Sequence, residues 1–287
     1  MKRPPSIGRP VREHFLPFNE SLKKMPFWLL GIILLGILTL WSIVSRADYR
    51  VIFRATAGGL LTTIWVSLVA FCFAIVIGLI GGLCRVSPLR VVREIATFFV
   101  EIVRGVPMLV ILYYIAFIGA PGLVEAVNFL LSPLVKAGVL SPLSIRSISF
   151  VWRAIIALTL GYGAFLSEVF RAGIESIHAG QWEAAYALGL RRRQVMVRIV
   201  LPQAIRTVLP PLGNEFVAMI KDSALVSALG VQDVTQMGKV YAAGTFKFFE
   251  TYNIVAFLYL FLTISLSMLV RLLEKRMKTG RSATHLR

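Results

Sequence analysis

The chain has 287 residues, 57% of them hydrophobic and 16% charged, and its mean hydropathy of +0.78 is well above that of a soluble globular domain. A net charge of +17 would point to nucleic acid in a soluble protein, but in a chain this apolar its meaning depends on where the basic residues lie. Three scattered histidines, His14, His178 and His285, and two cysteines on one apolar stretch, Cys72 and Cys84, leave no catalytic metal set and no intrachain disulfide.

Residues 1–26 carry six Lys and Arg and several prolines, and read as a basic cytoplasmic segment. The run WLLGIILLGILTLWSIV then gives a first span at 27–45. It is longer than a signal-peptide core, and Ser45-Arg46-Ala47 is a poor cleavage context, so it is expected to stay as an anchor helix. Runs able to cross roughly 30 Å of hydrocarbon follow at 58–84, 97–119, 150–170 and 251–272.

Within these, Gly78-x-x-x-Gly82 offers a place where a neighbouring helix can come close. Glu101 and Arg104, three apart at the start of the third span, can pair on one helix face as structural or gating residues. The outer stretch 120–149 sets VNFLLSPLV among Pro121, Pro133 and Pro142, and reads either as an interfacial helix or as a connector. Glu168, toward the cytoplasmic end of the fourth span, has Arg171 three positions on; it belongs either to a substrate path or to an ordinary ion pair.

A weaker span at 205–228 holds Pro210, Pro211, Asn214, Glu215, Lys221 and Asp222, which a helix facing lipid on every side would not tolerate. The two prolines predict an interrupted helix whose free carbonyls line a polar cavity. Asn214, Glu215, Lys221 and Asp222 together supply hydrogen-bond donors and acceptors to such a substrate path. Lys221 and Asp222 can equally form an ion pair at the outer end.

All-α architecture with about six transmembrane helices follows. With a cytoplasmic N-terminus, the inner side holds six Lys and Arg in 1–26, three in 84–96, six in 171–206 and six in 271–287, against seven on the outer side. This asymmetry satisfies the positive-inside rule with both termini cytoplasmic, and no nucleic-acid partner is needed to explain the charge. Membrane lipid is the partner it implies.

Between the fourth span and the weak one lies EAAYALGLRRRQVMVRIVLP, residues 183–202. Gly180 can cap a short helix with Glu183 at its third position, and Gly189 offers the left-handed residue that ends it. A second short helix from Arg191 to about Val200 is expected to stop before Pro202, giving two helices in an L. A membrane-surface amphipathic helix and a docking knob fit this pattern equally.

Glu183, Ala184, Ala185, Gly189, Ile199, Leu201 and Pro202 fall in the register of the signature of bacterial ABC importer permeases, which this chain resembles. "YGAFLSEVFRAGIESIHAGQWEAAYALGL", "VRGVPMLVILYY" and "LPPLGNEFVAMIKDSALVSALGV" are similar to the polar amino acid branch. Over about 56–275 the resemblance implies a five-helix permease core, to which the helix at 27–45 is an addition, with 276–287 a basic cytoplasmic tail. It further implies that the loop 178–202 couples to a cytoplasmic ABC ATPase, that an external solute-binding protein delivers the amino acid, and that the chain sits in the bacterial inner membrane. Val106 and Ser223-Ala224 replace the family's commoner Thr and Thr-Ser.

No GxxxxGK[ST] stretch is present, so no phosphate-cradling loop of the chain's own is expected to bind ATP. The chain is not expected to be an enzyme, nor to bind a cofactor; ATP would be used by the partner. Its spans are too few to enclose a path, so a second copy or a related permease is expected. A gradient-driven carrier or channel is the competing class, but the matching broken helices such carriers often show in two halves are not evident.

Overall fold

The computed structural model describes residues 27–282, all of its regular elements helical. The basic segment expected at 1–26 lies outside the described residues, as do residues 283–287. Among the described residues five helical runs are long and apolar enough to cross a membrane: Ala47–Arg85, Met108–Leu130, Phe150–Glu175, Arg192–Leu229 and Phe248–Lys275. A shorter apolar helix, α1 (Phe27–Ser45), precedes them.

The first run joins α2 (Ala47–Ala57) to α3 (Gly59–Arg85). α3 packs along α8 (Phe150–Glu175), the most deeply buried of the spans. Gly78 lies against Leu166, where a Cβ would come within 2.5 Å of the Leu166 Cβ, and Gly82 lies against Phe170. The glycine spacing therefore does set a close helix approach. Around this contact Val66, Ala70, Phe71, Ala74, Ile155, Leu158 and Leu166 form the main core.

The third span begins later than expected. Pro107 holds Val106 in an extended conformation (φ −104°, ψ 135°), because the proline ring disfavours helical backbone in the residue before it. Two helices result where one was expected: α4 (Arg90–Gly105), strongly amphipathic, and α5 (Met108–Tyr114). A wide turn at Ile115–Gly119 leads into α6 (Ala120–Leu130), so the span takes in part of the stretch read as an outer loop. Only α7 (Ser132–Lys136) and a single turn at Ile145–Ser147 lie between it and α8. Arg153 fastens this end, donating to the carbonyls of Ala116, Ile145 and Ile148 at 2.9–3.1 Å.

Two short helices, α9 (Ala179–Ala187) and α10 (Arg192–Val195), follow α8. Pro202 does not end the second of them. A wide π turn over Met196–Val200 carries the chain directly into α11 (Leu201–Asp222), with Pro202 in its first turn, where a missing N–H costs little. Pro210 and Pro211 do not interrupt α11 either. The N–H groups they lack would have bonded the carbonyls of Arg206 and Thr207, and helices within a membrane tolerate such prolines where neighbouring groups take up the freed carbonyls.

Regular α-helix gives way only after Asp222, to a tighter coil at Ser223–Leu229 closed by left-handed Gly230. Asp233 then caps α12 (Val234–Thr245), accepting from the backbone N–H groups of Thr235 and Gln236 and from the Tyr259 hydroxyl. Burial pushes the Asp233 carboxyl above the usual range, against the pull of these hydrogen bonds. The final span lies in α13 (Phe248–Ser282), where Ile254, Val255 and Leu258 share a core with Tyr49, Ile52 and Val234.

Candidate functional site

The loop between α8 and α11 is a small packed body. Ile174, Ala185, Val195, Val200 and Ala204 form its buried centre, with Trp182, Leu190 and Ile199 packed around them. His178, rather than Gly180, caps α9, its Nδ1 accepting from the Gly180 N–H at 3.1 Å. Gly189 has φ +74°, the left-handed conformation that ends a helix at little cost only for glycine. The Gln194 side chain accepts from the Arg191 N–H at 2.8 Å and fixes the start of α10.

Among the signature residues, Glu183, Ala184, Gly189 and Pro202 are exposed, whereas Ala185 is buried and Ile199 and Leu201 are half-buried. One subset holds the loop together and the other faces outward. Nothing lies within 4 Å of a Cβ built on Gly189, so that corner is open to a partner. α10, the π turn and α11 form one continuous helical run, so the loop passes into the polar span without a break after Arg192.

The charged residues of the spans separate into two groups. Near the loop, the Glu168 carboxylate receives Arg171 from its own helix and Arg85 from the end of α3. Arg171 also pairs with Glu175, and Arg85 reaches Glu101 on α4 at 3.7 Å. The expected Glu101–Arg104 pair is not formed: Glu101 turns to Arg85, while Arg104 stacks over the Phe165 ring, 5.7 Å from its centroid. The Arg171 pair fixes Glu168, and Arg85 joins three helices that sequence spacing could not connect.

Deeper in the span, the Tyr162 hydroxyl donates to Asp222 Oδ2 at 2.8 Å. Glu215 and Asp222, seven positions apart, share one face of α11, and Glu215 lies within electrostatic reach of Asp222 and Arg104. Asn214 and Lys221 share an adjacent, exposed face. Lys221 and Asp222 do not pair: among the described residues Lys221 forms no ion pair, and the Asp222 carboxylate takes the tyrosine instead. Tyr162 has no distinguishing signal in an apolar run, beyond being a hydroxyl that needs a partner when buried.

Residues 74–279 match the family described as the binding-protein-dependent transport system inner membrane component. The chain is 36% identical over 215 residues to the probable amino-acid permease protein YxeN of Bacillus subtilis (strain 168), an overlap of 75% of this chain and 88% of that protein. It is 34% identical over 216 residues to the glutamine transport system permease protein GlnP of Escherichia coli (strain K12), with 75% and 90% covered. A solved structure of an amino acid ABC transporter with histidines superposes with a TM-score of 0.66 at 31% identity, over 82% of this chain and 98% of that one. These matches run nearly the full length of the relatives. The chain belongs to the binding-protein-dependent transport system inner membrane components, the permease subunits of ABC importers.

Proposed function

We propose that this chain passes a polar amino acid across the bacterial inner membrane, driven by a separate ATPase that docks on the loop at 178–202. The observation carrying this reading is the continuity of α10 with α11 from Arg192 onward, which sets the exposed corner at Gly189 three residues ahead of a helical run that carries Glu215 and Asp222. The amino acid is supported by the names of YxeN and GlnP. It is supported too by the mixed charge around α11: Glu215 and Asp222 can accept from an ammonium, and Asn214, Lys221 and Arg104 can donate to a carboxylate.

ATP is bound and hydrolysed on the partner. Its closure presses on the exposed face of α9 around Glu183 and Ala184, and the core beneath carries the displacement through Val195 and Val200 into α11. A second copy or a related permease completes the path, and an external solute-binding protein presents the amino acid at the outer face. Both termini lie in the cytoplasm.

Uptake of labelled amino acids into proteoliposomes holding the purified assembly tests this. Uptake is expected to require ATP, and Gly189→Asp, which places bulk and charge at the open corner, is expected to lower it at least about tenfold, the effect of roughly 1.4 kcal/mol of lost coupling, with normal membrane levels. Undiminished ATP-driven uptake by that variant contradicts the docking role, and uptake without ATP points to a gradient-driven carrier.

A further inference from the structure

Beside the loop, where α3 and α8 end, lies a cleft of about 510 Å³ whose lining includes neither Gly189 nor the polar residues of α11, although Trp182, Tyr186 and Arg192 of the loop form one wall. Arg85, Arg93 and Arg192 line it. The one carboxylate in the lining, Glu175, is already held by Arg171. The Arg85 side chain is only 8% exposed, and its Nε is buried without a hydrogen-bond partner.

The other two arginines rest on backbone carbonyls. Arg192 Nη2 reaches the Val86 carbonyl at 3.3 Å and Arg93 Nη1 reaches the Ser87 carbonyl at 3.4 Å. Neither forms an ion pair among the described residues. Two guanidinium groups are thereby drawn to adjacent carbonyls that carry no net charge, an arrangement that an anion between them would relieve. Guanidinium pairs are suited to the oxygens of a phosphate, which they grip in bidentate fashion.

The depth of the cleft points to the source of that anion. Spans α3 and α8 both end beside it, at Arg85 and Glu175, so it lies at the boundary between hydrocarbon and water. Trp182 and Tyr186 complete its wall, and these amphipathic rings are enriched at lipid headgroup level. We propose that the cleft binds a phosphate group, presented by an anionic membrane lipid, through Arg93 and Arg192 with Arg85 behind them. The bound headgroup bridges the α3–α4 turn and the docking loop, and so ties the posture of the loop to the lipid around it.

The full-length protein, stripped of lipid in neutral detergent, is titrated with phosphatidylglycerol, phosphatidylcholine and inorganic phosphate. Native mass spectrometry reads the lipids and calorimetry reads the phosphate. Phosphatidylglycerol is expected to bind more tightly than phosphatidylcholine, and Arg93→Gln with Arg192→Gln to weaken it about tenfold, as loss of a charge-assisted contact does. The corresponding Lys pair, which keeps the charge, should recover part of the loss, and unchanged thermal unfolding checks that the variants fold. Inorganic phosphate binding lost in the same Gln variant, with no competition from phosphatidylglycerol, keeps the site and moves its source to the cytosol. Equal lipid retention by wild type and Gln variant, with no phosphate bound, overturns the proposal.

Discussion

The Glu168 carboxylate serves two guanidinium groups from different helices, Arg85 of α3 and Arg171 of its own helix, and is itself only 27% exposed. Both guanidinium groups donate directly to its oxygens. Replacing it by an amide of the same shape removes the charge that pairs a nearly buried Arg85. Glu168→Gln is expected to lower stability by about 1–3 kcal/mol, the range for a part-buried charged group losing its partner. The measurement is thermal unfolding in detergent, and an unchanged transition would mean that Glu101, at 3.7 Å, suffices for Arg85. The Arg171 pair is legible from its three-residue spacing. Arg85, 83 positions from Glu168, is not, because only the packing of α3 on α8 brings them together.

At the scale of elements, four prolines divide what sequence reading reaches from what it misses. Pro107 breaks a helix where the run of apolar residues reads as continuous, and so moves the third span outward by about ten positions. Pro202, Pro210 and Pro211 stay within helix where interruption is expected, because the first follows the wide π turn at the start of α11 and a membrane-spanning helix tolerates internal proline where the freed carbonyls, here those of Arg206 and Thr207, have partners other than the missing N–H groups. Backbone cost depends on those local partners, which composition does not reveal. The Gly78-x-x-x-Gly82 spacing is more transparent, since only a missing side chain lets α3 and α8 approach so closely. Gly78→Val is expected to cost about 1–3 kcal/mol by overpacking against Leu166. The same substitution at Gly36, which has nothing within 4 Å, provides the control, and equal unfolding temperatures for the two variants would contradict this contact.

For the whole molecule, the positive-inside charge pattern, the number of apolar runs and the signature loop were all readable before any coordinates. What was not readable is that the loop and α11 form one rod, because the π turn over Met196–Val200 has no simple sequence signal. The rod begins at Arg192, three residues after the exposed corner at Gly189, and carries Glu215 and Asp222, the latter bonded by Tyr162. The proposed function requires an ATPase that docks on this loop. The most direct measurement is purification of the tagged chain from its native membrane in mild detergent, with mass determination of what accompanies it. The account predicts a stoichiometric nucleotide-binding subunit, lost when Glu183 and Gly189 are altered together. A chain that travels alone or only with itself, and still moves solute in vesicles without ATP, would contradict it.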